Sequence, residues 1–209
     1  MSSRDLLVEI GTEELPPKAL LSLSEHFQQA IESGLSNHNL SFADSVPFAS
    51  PRRLAVIVKT LPEKQDASAV EKYGPALKAA FDSDGKPTKA AEGFARSCGV
   101  TVAELQEKDD GKVAKLFYSE TKAGLNTTEL LPDIINAALA SLPIPRRMRW
   151  GASRDEFVRP VHWAVILFGE EIVPATILGV EASNTTRGHR FHHPQSIELK
   201  DPSEYESTL

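Results

Sequence analysis

The chain has 209 residues, 41% hydrophobic and 25% charged, with a net charge of −6 and a single cysteine, Cys98. That is enough apolar material for a core, and it excludes a disordered polymer, an internal disulfide framework and a cysteine-cluster metal centre. No apolar run approaches the roughly 18–20 residues that span a bilayer, and the opening residues lack a secretory-signal pattern, so a cytoplasmic protein with no membrane partner is expected.

Residues 6–10 read as a buried strand, interrupted by Gly11-Thr12. Pro16-Pro17 suits a helix opening, and Leu20, Leu23, Phe27, Ile31 and Leu35 recur at three- and four-residue spacing as an apolar stripe. Residues 42–48 read as a second strand and the β-branched run 54–58 as a third. Strand, helix, strand, strand predicts an α+β fold with a mixed or antiparallel sheet and packed helices. The stretch 62–111 is charged and punctuated by Gly74-Pro75, Asp84-Gly85 and Lys86-Pro87. Inside it a helix is predicted over 88–98, ending at Gly99, and Thr101 and Glu104 have capping-box spacing, giving a small helical insert near 85–110. A strand follows over 112–121, then a helix over 128–142 with Leu131, Ile135, Ala138 and Leu142 on one face. Residues 158–168 and 172–180 read as a hairpin across Gly169-Glu170-Glu171. Asp201-Pro202-Ser203-Glu204 announces a helix with only residues 205–209 left to form it, so residues 1–209 are expected to be the N-terminal region of a longer chain.

The charge is unevenly distributed. Residues 145–193 hold seven arginines, no lysine and five acids, whereas residues 1–144 and 194–209 are both net acidic. Arginine presents a planar fork of donors matched to phosphate and carboxylate. Arg146, Arg147, Arg149 and Trp150 form one cluster, with Arg154, Arg159 and His162 close behind. Such a group suits phosphates and a stacked base, or equally a solvated loop paired with Asp155 and Glu156. A second cluster, Arg187, His189 and Arg190 with His192-His193, fits phosphate or RNA better than zinc, because matching ligands elsewhere are missing from the sequence. Glu13-Glu14 reads as complementing a helix dipole, and Cys98 as a packing residue. With no phosphate loop, dinucleotide fingerprint or nucleophile–base set, no catalytic centre and no metal site are expected.

Particular strings carry more than composition. Residues 7–16 (Leu-Val-Glu-Ile-Gly-Thr-Glu-Glu-Leu-Pro), 50–56 (Ser-Pro-Arg-Arg-Leu-Ala-Val), 89–96, 142–145, 148–151, 157–162 and 186–191 resemble, in order, those of the bacterial glycyl-tRNA synthetase beta-subunit family. The resemblance covers essentially the whole chain. It implies a subunit of an alpha2beta2 glycine–tRNA ligase whose alpha subunit holds the catalytic site and uses ATP with Mg2+. The beta subunit would chiefly recognise tRNA(Gly), and the fragment itself would bind no cofactor. Under it Arg146, Arg147, Arg149, Trp150, Arg159, His162, Arg187, His189 and Arg190 become a surface facing tRNA or the alpha subunit. Arg52 and Arg53 are weaker candidates that precede a strand. The same strings alternatively fix backbone geometry, and His192-His193 lies outside them. A competing reading makes the insert, residues 91–105, a protein-docking module that binds the alpha subunit without RNA contact. An editing-type hydrolase has no residue set to support it.

Overall fold

The computed structural model describes residues 2–82, 85–109 and 113–209. In chain order the elements are β1 (Ser3–Thr12), α1 (Leu20–Asn37), β2 (Asp44–Ser50), β3 (Arg53–Pro62), β4 (Ser68–Ala76), α2 (Leu77–Ala80), α3 (Lys89–Cys98), β5 (Gln106–Asp109), β6 (Ala114–Lys122), α4 (Thr127–Ser141), β7 (Met148–Arg149), β8 (Glu156–Phe157), β9 (Val161–Phe168), β10 (Glu171–Ile172), β11 (Thr176–Ile177), β12 (Val180–Ser183), β13 (Thr185–Arg187), β14 (Ser196–Glu198) and α5 (Tyr205–Thr208). The fold is α+β, as the element order predicts. The chain divides into two compact units, one of Met1–Gln65 with Leu125–Leu209 and one of Asp66–Gly124.

The first unit is built on a sheet of order β11-β12-β9-β1-β3-β2, with β10 also paired to β9. Its pairings are antiparallel except β12 with β9, which is parallel. Strand β1 is central and buried on both faces, which is why its apolar residues run without alternation. Leu6, Val8 and Ile10 pack with Val56, Ile166 and Phe168 beneath α1 and α4. The stripe read from sequence closes that face: Leu23, Phe27, Ile31 and Leu35 of α1 are all buried. Helix α1 starts at Leu20, after a turn in which the Ala19 N–H donates to the Pro16 carbonyl at 2.9 Å, so the two prolines precede the helix rather than open it. On α4 the buried residues include Leu131, Ile135 and Ala138, with Leu142 buried just past its end.

The opposite face of the sheet carries Leu7, Ala55, Ile57, Trp163, Val165 and Leu167, covered by Leu199 and Tyr205. Asp201 caps the turn that delivers Tyr205, its carboxylate accepting from the Ser203 N–H at 2.8 Å. The hairpin expected from residues 158–180 is shorter than the sequence suggests. Glu171 and Ile172 pair back onto β9, the Val173 N–H adds a bond to the Ile166 carbonyl at 3.0 Å, and Pro174, which has no N–H, ends the pairing. The chain then reverses through Leu178-Gly179, both at positive φ, and β12 returns beside β9 in parallel.

The second unit is a three-stranded antiparallel sheet of order β4-β6-β5 with α2 and α3. Ala80, Ala91 and Leu116 form its small core. Helix α3 ends at Gly99 in the left-handed conformation, and the capping box at Thr101 forms, with the Thr101 N–H and hydroxyl donating to Glu104 at 2.8 and 2.7 Å. The expected helical insert lies inside this unit, beside a sheet. Asp84 and Lys112, which figure in an expected turn and strand, lie outside the described residues.

Candidate arginine and aromatic site

Three strands of the first unit place Glu9, Arg53 and Trp163 together on the face opposite the helices. Glu9 has no exposed surface, and its Oε1 accepts hydrogen bonds from the Trp163 indole N–H and from the Thr186 hydroxyl, the latter at 2.7 Å. Its Oε2 lies 3.6 Å from Arg53 Nη1, whose side chain is 12% exposed. Tyr205 closes over this pair. Burial and the adjacent Glu9 carboxylate hold its phenol far above the ordinary tyrosine range, so the hydroxyl stays protonated. A buried carboxylate is tolerated only when donors and a counter-charge surround it. Here Oε1 has two donors, while Oε2 faces the Arg53 charge; among the described residues Oε2, Arg53 Nη1 and the Tyr205 hydroxyl make no hydrogen bond. Arg53 in turn donates to the Arg187 backbone carbonyl, which ties β3 to the loop that carries His189 and Arg190.

Trp163 lies across Gly11, its cross-strand partner: a Cβ on Gly11 would sit 1.9 Å from the indole. The guanidinium carbons of Arg52 and Arg187 lie 5.9 and 5.4 Å from the indole centroid, within cation–π range. Phe48 and Tyr205 meet edge to face, their centroids 5.6 Å apart. Trp163, Arg52, Phe48 and Tyr205, with Arg190 and Phe191, border a cavity of about 640 Å3.

The sequence-predicted residues divide into two kinds. Some are already engaged in holding the backbone. Arg147 donates to the Ala140 carbonyl at 2.7 Å, capping the last turn of α4. Arg149 pairs with Glu156 at 2.5 Å, the partner that the solvated-loop reading assigns it. Arg159 donates to the Glu14 carbonyl at 3.0 Å, and Trp150 is half-buried against the main core. The others stand at the surface. Arg146 and Arg154 are exposed and make no hydrogen bond or ion pair to a described residue. Arg187 is exposed over Trp163, and Arg190 reaches Glu14 across 3.4 Å, with both side chains at least half exposed.

Glu13 and Glu14 differ from the sequence expectation. Neither lies in the first turn of α1, which holds no acid. Instead, Glu13 accepts from His162 Nε2 at 2.8 Å and lies 3.7 Å from Arg52, while Glu14 meets Arg190. Together with the Glu14 carbonyl, these carboxylates organise Arg52, Arg159, His162 and Arg190 around a single turn. Burial opposes ionisation of Glu13, but the His162 hydrogen bond and the charges of Arg52 and Arg190 outweigh it, and its pKa falls below the ordinary value. His189 accepts from the Phe191 and His192 N–H groups at 3.3 Å each, and its ring stacks on His192 at 4.6 Å. Residues 190–192 form a turn.

Sequence reasoning missed Glu9, Trp163 and Tyr205. The available signal was Glu9 itself, a lone acid inside an apolar strand. No helix among the described residues is long and apolar enough to cross a membrane.

Comparison with known proteins agrees with the ordered strings. The family model described as glycyl-tRNA synthetase beta subunit matches residues 6–209. Proteins named glycine–tRNA ligase beta subunit from Hahella chejuensis, Chromohalobacter salexigens and Marinobacter nauticus are 56%, 52% and 48% identical over all 209 residues. The chain spans 30% of the length of each of these relatives. Matched from residue 6 to its last residue, the chain belongs to the glycyl-tRNA synthetase beta-subunit family.

Proposed function

We propose that this chain is the N-terminal portion of the beta subunit of an alpha2beta2 glycine–tRNA ligase and that it contributes to tRNA(Gly) recognition and assembly. In this reading the alpha subunit performs the ATP- and Mg2+-dependent activation of glycine and its transfer to tRNA in the cytoplasm, and this region holds no cofactor of its own. The relatives' names supply the reaction. The observation that carries the local role is the exposed positive charge at Arg146 and Arg154, unpaired among the described residues, on a chain of net charge −6. Arg187 and Arg190 add exposed cations around Trp163. An exposed ion pair such as Arg190–Glu14 is worth about 0–1 kcal/mol, so a phosphate displaces the carboxylate at little cost.

The test is the salt dependence of tRNA affinity in the intact ligase carrying Arg146→Ala, Arg154→Ala and Arg187→Ala together. Every arginine that pairs with a phosphate should, when replaced, flatten the slope of log K against log salt by about 1. An unchanged slope and affinity would overturn RNA binding at this surface. Retained tRNA affinity in that variant, with alpha-subunit association lost instead when residues 91–105 are replaced, would favour the docking reading.

A further inference from the structure

We propose that the cavity beside Trp163 receives one unpaired nucleotide of the RNA, its base against the Phe191 and Trp163 side of the pocket and its phosphate on Arg52 and Arg190. This inference rests on the RNA-binding reading above and names the part of the RNA that this surface takes. The cavity of about 640 Å3 falls within the 300–1,000 Å3 typical of small-ligand sites, a range that accommodates a nucleotide. Four aromatic side chains line it: Trp163 and Tyr205, both buried, Phe48, and the exposed ring of Phe191, the one most open to a base. Phe191 is 79% exposed where it borders the cavity, so its ring is open to a stacking partner.

That exposure is not slack in the loop. The Phe191 N–H is held by His189 Nδ1, the His193 N–H donates to the His189 carbonyl at 2.8 Å, and a Cβ on Gly188 would meet the His193 carbonyl at 2.6 Å. The ring is therefore presented by an ordered turn, which lowers the entropy cost of stacking on it. Because Nδ1 accepts two backbone N–H groups, a neutral His189 carries its proton on Nε2, where it is a donor for a base or phosphate oxygen.

Charge favours a phosphodiester over a neutral ligand. Arg52, Arg53 and Arg190 line the cavity against Glu14 and Glu206, and Arg187 adds a further cation over Trp163. Arg53 is committed to Glu9 and the Arg187 carbonyl, whereas Arg52 keeps donors beyond its bond to the Thr12 carbonyl and its Glu13 contact, and Arg190 beyond Glu14. A double-stranded stem presents no isolated base to such a pocket, so the nucleotide must be unstacked.

The experiment compares the intact ligase with its Phe191→Ala, Phe191→Tyr and Arg190→Ala variants for tRNA affinity across a salt series. Ultraviolet crosslinking of the bound tRNA maps the contact in parallel. Phe191→Ala should weaken binding by about five- to a hundredfold with the salt slope unchanged, and Phe191→Tyr should restore it. Arg190→Ala should flatten the slope by about 1, and the crosslink should join one unpaired nucleotide to Phe191 or Trp163. If Phe191→Ala binds tRNA as the wild type does, while the Arg146, Arg154 and Arg187 triple variant weakens it, the nucleotide pocket is overturned and the RNA-binding reading stands. If neither changes tRNA affinity, both fall. A separate arm titrates guanosine and adenosine monophosphate into the intact ligase by calorimetry. Tight mononucleotide binding abolished by Phe191→Ala, with tRNA affinity unaffected, would assign the pocket to a free nucleotide and overturn the proposal.

Discussion

Glycine at position 11 has no unusual φ, yet the indole of Trp163 occupies the space where any side chain would begin. Gly11→Ala should therefore push Trp163 off its seat and loosen its bond to Glu9, at a cost of about 1–3 kcal/mol, read as a lower denaturant midpoint. Glu13 gives a pH-dependent test. Its folded pKa is depressed, so its contribution is present above the ordinary glutamate value near 4.3 and is lost as pH falls through the lower folded value. The wild type should exceed Glu13→Gln in stability by a small margin above about pH 5, and the two should converge in acid. Added salt should shrink the margin, because the Glu13 side chain is 39% exposed. Denaturant midpoints across a pH series check both statements.

Elements here are shaped by local irregularities as much as by periodicity. Along β1 and β3 the register steps from Arg4↔Leu61 to Leu6↔Val58, which places one extra residue on β3. Thr60 sits in that bulge at φ 57, a conformation that a β-branched residue adopts at a cost. Asp5 holds it there, accepting from the Thr60 N–H at 2.9 Å and pairing with Lys59 at 2.7 Å. Thr60→Gly should relieve the strain and stabilise the protein by about 1 kcal/mol, measured as a raised denaturant midpoint. The strands around this bulge were legible because apolar runs mark buried strands, whereas the bulge was not, since nothing in the run 54–58 signals an extra residue. The same distinction explains the hairpin. Residues 172–180 have strand composition, but Pro174 and the positive-φ turn at Leu178-Gly179 cut them into short pieces with different partners.

At the scale of the whole molecule, the two ends of the first unit that flank residues 66–124 are in contact. The Gln65 N–H donates to the Leu125 carbonyl at 3.0 Å, and Lys64 bridges to Asn126. Replacing 66–124 by a short glycine linker should therefore leave the first unit folded, because the linker closes a gap already spanned by hydrogen bonds. Circular dichroism and a cooperative unfolding transition of the excised variant check this. Under the RNA-binding reading that variant, within the intact ligase, keeps its tRNA affinity.

The α+β class, the stripe of α1, the central buried strands, the capping box at Thr101 and the family can all be read along the chain, because each is written in local periodicity or contiguous strings. Only the tertiary structure decided the site. Glu9, Arg53, Trp163 and Tyr205 come from β1, β3, β9 and α5, up to 196 positions apart, and no local pattern records which side chains a sheet brings together. It also separated the arginines. Arg147 and Arg149 share a cluster with Arg146 in sequence, but a helix-end carbonyl and Glu156 hold the first two while Arg146 is left to solvent. Pairing depends on distance in space, and that is set by the packing of the sheet and not by spacing along the chain.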